Sequence, residues 1–143
     1  MVNIPPQATA SAPAIPAPPV SRIDLDYILG RTESLWPEMR NRRIFITGGT
    51  GFFGCWLLES FLAANRTFHL QAQAAVLTRS SQNFRRRCPH LAEDPAIELV
   101  EGDIRNFALP AGEFPFAIHA ATESVQKPSP YSEPGCRCEG APL

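Results

Sequence analysis

The sequence predicts an α/β fold: a doubly wound parallel sheet, of which only the first half is present, in the strand order 3-2-1-4. Three observations predict it. Short apolar runs, "RIFIT", "AAVLT", "IELVEGD" and "FAIHAA", recur between Arg43 and Ala121. Helix-length stretches separate them, so neighbouring strands must pair in parallel through right-handed crossovers. Between the first run and the first long helical stretch lies "ITGGTGFFG", with four glycines in nine residues.

The elements follow in order. Residues 1–20 hold six prolines and no charged side chain, and are expected to be extended or disordered. Residues 21–42 form a helical preamble. Its first helix starts at Ser21, with Asp24 completing a capping-box analogue, and its second covers Ser34 to Met39 with Pro37 in the first turn. The main domain spans residues 43–124. A strand at "RIFIT" leads into a helix over "FFGCWLLESFLAAN", with Phe53, Leu57 and Phe61 on one face, Leu58 and Leu62 beside it, and Asn65 closing it. "AAVLT" is the second strand and "SQNFRRRC" a short helix stopped by Pro89. Ile97 to Asp103 and Phe116 to Ala121 are the third and fourth strands. Residues 125–143 are rich in proline and glycine and form an irregular tail.

The chain has 143 residues and a formal charge of −1, which argues against general affinity for nucleic acid or anionic membrane. No apolar run approaches the roughly 20 residues that span a bilayer. The N-terminus lacks a basic patch followed by an apolar stretch, so no secretory signal is expected. Cys55 and Cys88 stand alone in the sequence, and Cys136 and Cys138 form a CxC. No second pair supports a metal site, so all four read as reduced thiols of a cytoplasmic protein.

The glycines carry the functional signal. A strand entering a glycine-rich turn and then a helix leaves unpaired N–H groups at the positive end of the helix dipole, where a phosphate settles. Glycine lets backbone approach a pyrophosphate and lets the helix close on the strand, and Gly48, Gly51 and Gly54 occupy the positions where this matters. The rival P-loop reading fails at Cys55 and Trp56, which stand where Lys and Ser/Thr would be needed. Phe52 and Phe53 read as core, although either could close over a pyrophosphate. His119 reads as a packed or hydrogen-bonded residue, and His69 and His90 as loop residues.

"TGGTGFFG" resembles the TGxxGxxG fingerprint of the extended short-chain dehydrogenases/reductases, the NAD(P)-dependent sugar epimerase/dehydratase group. "EGDIR" and "IHAAT" resemble two further motifs of that family, in the right order, so the likeness covers about Arg43 to Glu123. It implies a Rossmann-like fold that binds a dinucleotide. Gly48, Thr50, Gly51, Phe52, Phe53 and Gly54 would surround the pyrophosphate. Asp103 and Ile104 would border the adenine. Ala120, Ala121 and Thr122 would line the ribose and nicotinamide side. At the end of the second strand Arg79 and Ser80 stand where NAD-binding relatives carry a carboxylate, which favours NADP slightly over NAD. Arg85, Arg86 and Arg87 read as a solvated helix face.

The resemblance also implies a YxxxK pair for proton and hydride transfer to a nucleotide-linked sugar. Tyr27 is followed at that spacing by Arg31, and Tyr131 by Gly135. No catalytic residue is therefore assigned. The composition after Val125 departs from the helix expected there, which reads as a truncated or frame-disrupted chain or, alternatively, as a genuine C-terminal arm. The alternative function is a non-catalytic dinucleotide-binding or interaction module. An uncovered fourth strand is expected to promote self-association.

Overall fold

A computed structural model describes residues 18–121. Among them is one four-stranded, all-parallel sheet: β1 (Arg43–Thr47), β2 (Gln73–Thr78), β3 (Ile97–Glu101) and β4 (Phe116–His119), in the order β3-β2-β1-β4. The expected strand order, 3-2-1-4, is the one observed. In the register Thr47 pairs with both Leu77 and His119, and Thr78 with Glu101. The carboxyl ends of all four strands therefore meet along one edge of the sheet. The helices are α1 (Arg22–Thr32), α2 (Phe52–Thr67), α3 (Ser81–Arg87) and α4 (Pro89–Ala92), with a 3₁₀ helix at Glu33–Met39.

Alternation along the strands sends side chains to two faces. Ile44, Ile46, Ala74, Val76 and Ile97 join Leu58, Phe61 and Leu62 of α2, with Phe84 of α3 and Leu91 of α4, in the main core. Phe45, Ala75 and Leu77 face the other way, where Val100, Phe107 and Phe114 pack on them. Phe107 stacks on Phe45 at 5.3 Å and Phe114 meets it edge-on at 5.7 Å. Among the described residues the helices thus cover one face of the sheet, and the loop from Gly102 to Pro115 covers part of the other.

Arg43 fixes that loop. Its guanidinium donates to the Ala111 carbonyl at 2.7 Å and to the Glu98 carboxylate at 2.6 Å, and lies 4.4 Å from the Phe114 ring centre. Gly112 follows Ala111 at φ +111, a conformation L residues rarely adopt, and any Cβ there would press on the same guanidinium.

The preamble packs as expected: Leu29 is buried in the main core, with Trp36 and Met39 against it. Its details differ. Ser21 sits at the N-cap of α1, but its side chain makes no capping bond. The second segment is a 3₁₀ helix with Pro37 inside it. It is tied to α1 by Trp36 Nε1 donating to Thr32 Oγ1 at 2.9 Å.

Four other boundaries move for identifiable reasons. Asn65 does not close α2, which runs on to Thr67. Its side-chain amide instead donates to the Ala72 carbonyl and accepts from the Ala72 N–H, both at 3.0 Å. That pair of bonds holds a turn in which His69 and Gln71 are left-handed. Pro89 does not merely stop α3; it opens α4 at the first helical position, where a missing N–H costs nothing. The third strand ends at Glu101 rather than Asp103, which forms an isolated bridge with Asn106. The fourth ends at His119. The expected tails at residues 1–20 and 125–143 lie almost wholly outside the described residues. No helix among the described residues is long and apolar enough to cross a membrane.

Leu58 is fully buried where α2 meets β1 and β2. Leu58→Ala should lower unfolding free energy by about 2–5 kcal/mol. Urea denaturation followed by circular dichroism measures this; a loss below about 1 kcal/mol would mean that α2 does not seat on the sheet as described.

Candidate functional site at the carboxyl edge of the sheet

The glycine turn links β1 to α2. Gly48 adopts φ +73, and a Cβ there would overlap the Ala120–Ala121 peptide. Gly51 N–H donates to the Gly48 carbonyl at 3.0 Å, which closes the turn and leaves Gly51 as the N-cap of α2. A Cβ on Gly54 would overlap the carbonyl groups of Gly48 and Gly49. The helix can therefore lie directly on the turn only because Gly54 has no side chain. At Gly51 itself the nearest atom to such a Cβ is the Gly48 oxygen, at 3.3 Å, so this position is open towards solvent.

Cys55 N–H is the first α2 amide to bond backward, to the Gly51 carbonyl at 2.9 Å. The amides of Phe52, Phe53 and Gly54 find no acceptor among the described residues, and no side chain caps the helix. These donors stand at the positive end of a 16-residue helix. The fit to a diphosphate is good: unpaired donors, an approach that a side chain at Gly51 would fill, and no carboxylate in the turn.

The other predicted residues arrive at the same edge because each follows the end of a strand. Arg79 and Ser80 leave β2. Arg79 is exposed and makes no ion pair among the described residues, while Ser80 caps α3 by accepting from Asn83 N–H at 3.2 Å. Glu101, at the end of β3, accepts from Ser81 N–H at 2.8 Å and Ser81 Oγ at 2.7 Å, which fixes the start of α3 beside β3 and holds the Glu101 carboxyl below its usual range.

Asp103 and Ile104 follow β3. The Asp103 carboxylate accepts from Arg105 Nε at 2.7 Å, a second guanidinium nitrogen at 2.9 Å and the Arg105 N–H at 2.9 Å. Hydrogen bonds from Arg105 hold its pKa well below the carboxylate range, with Arg79 adding a weaker pull. Ile104 is exposed beside it. Ala120 N–H donates to the Thr47 carbonyl at 2.9 Å, which presses Ala120 and Ala121 against Gly48. His119 is hydrogen-bonded, its Nδ1 lying 2.6 Å from Thr47 Oγ1. Thr122 lies outside the described residues.

Four expectations need correction. Phe52 and Phe53 are not core: they are 73% and 76% exposed and pack edge-to-face on each other, with Phe53 at the rim of an open apolar cavity rather than inside packed core. Arg87, exposed like Arg85 and Arg86, is more than a solvated side chain: it reaches back to donate to the Thr50 carbonyl in the glycine turn. His90 belongs to α4 rather than a loop, and its Nε2 lies 2.6 Å from Glu59 of α2. Cys55 and Cys88 do not stand alone: their sulfurs are 3.7 Å apart, Cys55 half-buried and Cys88 buried. Burial, reinforced by Cys88 and opposed by Arg87, pushes the Cys55 thiol up to about 11.

A cavity of about 880 Å³ is lined almost wholly by apolar side chains, among them Ile44, Ile46 and Ile118 of the sheet, with Trp36, Phe53 and Trp56. The glycine turn is an open ledge, as suits an extended ligand. No group of side chains among the described residues could hold a metal ion. Comparison of this chain with protein-family models, with characterised proteins and with solved structures finds no match.

Two measurements check this geometry. Gly54→Ala should lift α2 off the turn and lower the thermal midpoint by several degrees, whereas Gly51→Ala should leave it nearly unchanged; equal effects would contradict the contrast. In a carbon-detected NMR titration the Asp103 carboxyl should titrate below the ordinary carboxylate range, and Arg105→Gln should raise it towards that range, the residue-105 N–H bond keeping part of the depression. Because its folded pKa is depressed, the Asp103 clasp contributes above about pH 4 and is lost as pH falls further.

Proposed function

We propose that these residues form the dinucleotide-binding part of an NAD(P)-dependent oxidoreductase of the extended short-chain dehydrogenase/reductase type, similar to the enzymes that epimerise or dehydrate nucleotide-linked sugars. One observation carries the reading. The unpaired amides of Phe52, Phe53 and Gly54 open onto a turn where Gly51 leaves room for a ligand and Gly54 lets the helix reach the strand. The parallel sheet of order 3-2-1-4 supports it, since ligands of such sheets bind outside the carboxyl ends of the strands.

In this reading the amides at the mouth of α2 hold the diphosphate, with Thr50 and the exposed Phe52 and Phe53 around it. Arg79, free of any carboxylate partner among the described residues, meets a 2′-phosphate, and the Ser80 hydroxyl can donate to it while capping α3. NADP is accordingly preferred to NAD. Asp103 and Ile104 border the adenine, and Ala120, Ala121 and Thr122 the nicotinamide half. A bound nicotinamide would accept or supply hydride. The residues described here bind and orient it, and none of them is assigned as a proton donor or acceptor. The proposed partner beyond the dinucleotide is a nucleotide sugar, in a chain that also carries the tyrosine and lysine.

A second reading, a dinucleotide-binding module without turnover, is favoured by one feature: Tyr27 stands exposed on α1, before the first strand, with Arg31 at the lysine spacing.

Calorimetric titration of the full chain with NADP and NAD tests the proposal. NADP should bind, and Gly51→Asp should abolish the signal by placing a carboxylate against the diphosphate. Arg79→Ala should weaken NADP by about 10-fold or more, the scale of one charge-assisted hydrogen bond, and leave NAD unchanged. No heat with either dinucleotide from a folded protein would overturn the assignment.

A further inference from the structure

We propose that Cys55 and Cys88 form an oxidation site, a dithiol that a small-molecule disulfide converts to an intramolecular Cys55–Cys88 bond joining the first turns of α2 to the α3–α4 joint. The two residues are 33 apart in sequence, yet their sulfurs lie 3.7 Å from each other. A disulfide needs about 2.05 Å, so the sulfurs must close by roughly 1.7 Å. The joint supplies that movement. Cys88 is at once the C-cap of α3 and the N-cap of α4, in neither helical nor strand conformation, with a helix of 7 residues before it and one of 4 after.

Access is unequal, and that sets the order of the chemistry. Both cysteines line a cavity of about 550 Å³ bounded also by Pro18, Phe52, Trp56, Arg87 and His90, but Cys55 is half-buried, whereas Cys88 is only 1% exposed. The Cys55 thiolate attacks one sulfur of the small disulfide, forming a mixed disulfide and releasing one thiol. The Cys88 thiolate then attacks the Cys55 sulfur, forming the internal bond and releasing the second thiol. Two protein thiols are oxidised and one small disulfide is reduced to two thiols, so electrons and protons balance. Arg87 favours the Cys55 thiolate, while burial and the neighbouring Cys88 oppose it. Exchange is therefore slow near neutrality and quickens as pH rises towards 11. Since Arg87 also donates to Thr50 in the glycine turn, the pair is joined directly to the mouth of α2. The proposal stands whether or not a dinucleotide binds there.

The test incubates the full reduced chain with oxidised glutathione at pH 8.5, blocks remaining thiols and maps tryptic peptides by mass spectrometry. The expected product joins the peptide Ile44–Arg66 to the peptide Cys88–Arg105, lacks two hydrogens relative to their sum, and disappears on reduction. Cys88→Ser should leave Cys55 carrying glutathione, while Cys55→Ser should leave Cys88 unmodified. In urea the joined peptides should lose their preference over pairings with Cys136 or Cys138. Free or singly glutathionylated Cys55 and Cys88 in the folded wild-type chain would overturn the proposal. So would pairing with the tail cysteines instead, or a Cys55–Cys88 bond formed as readily in urea.

Discussion

The contact on which the rest depends is the seat of α2 on the glycine turn. The backbone at Gly54 lies so close to the Gly48 and Gly49 carbonyls that even a methyl group would force the helix away. That seat fixes two things together. It sets how far Leu58, Phe61 and Leu62 reach over β1 and β2, and so how well the main core closes. It also sets where the unpaired amides of the first turn point. Gly48 extends the constraint to the last strand, because its backbone touches the Ala120–Ala121 peptide. Core packing and the direction of the open amides are therefore not separable at this corner: both follow from missing side chains at Gly48 and Gly54.

The two faces of the sheet are held by different physics. On the helical face the stabilisation is burial of large aliphatic and aromatic groups, non-directional and spread over many contacts. On the other face a loop without regular structure lies over Phe45, Ala75 and Leu77, and needs directional restraints to stay there. Arg43 supplies them through the Ala111 carbonyl, the Glu98 carboxylate and the Phe114 ring. Its Nε is buried without a partner among the described residues, so this clamp carries some unrecovered desolvation.

What was legible in the sequence was local. The apolar runs gave all four strands, the connection lengths gave parallel pairing, and the glycine spacing located the turn. Strand ends were overrun at Asp103 and Ala121, and only at the second, through Ala120 and Ala121, does the apolar pattern continue past the last ladder pair. Phe53 illustrates the limit of periodicity. It falls on the apolar stripe of α2, yet it borders an open apolar cavity rather than packed side chains and stays 76% exposed. Asn65 shows another. A helix-closing residue and a side chain that clamps the next turn look alike until Ala72 is placed. Phe107 and Phe114 belong to a stretch with no period, so only the sheet reveals them as cover. The approach of Cys55 and Cys88 arises from the docking of α3 and α4 on α2, a long-range event with no sequence signature.

The position of β1 has a consequence for how this chain is made. It is the first strand to be synthesised, yet it is flanked by the second and the fourth, so one of its edges waits for Phe116–His119. At typical elongation rates of about 5–20 residues per second, the stretch between Thr78 and His119 takes roughly 2–8 s to emerge. Throughout that interval Ile44 to Thr47 present an unpaired, apolar border to whatever surrounds the nascent chain. A nascent chain of this topology is thus most exposed to mispairing after its glycine turn has formed and before the fourth strand has paired.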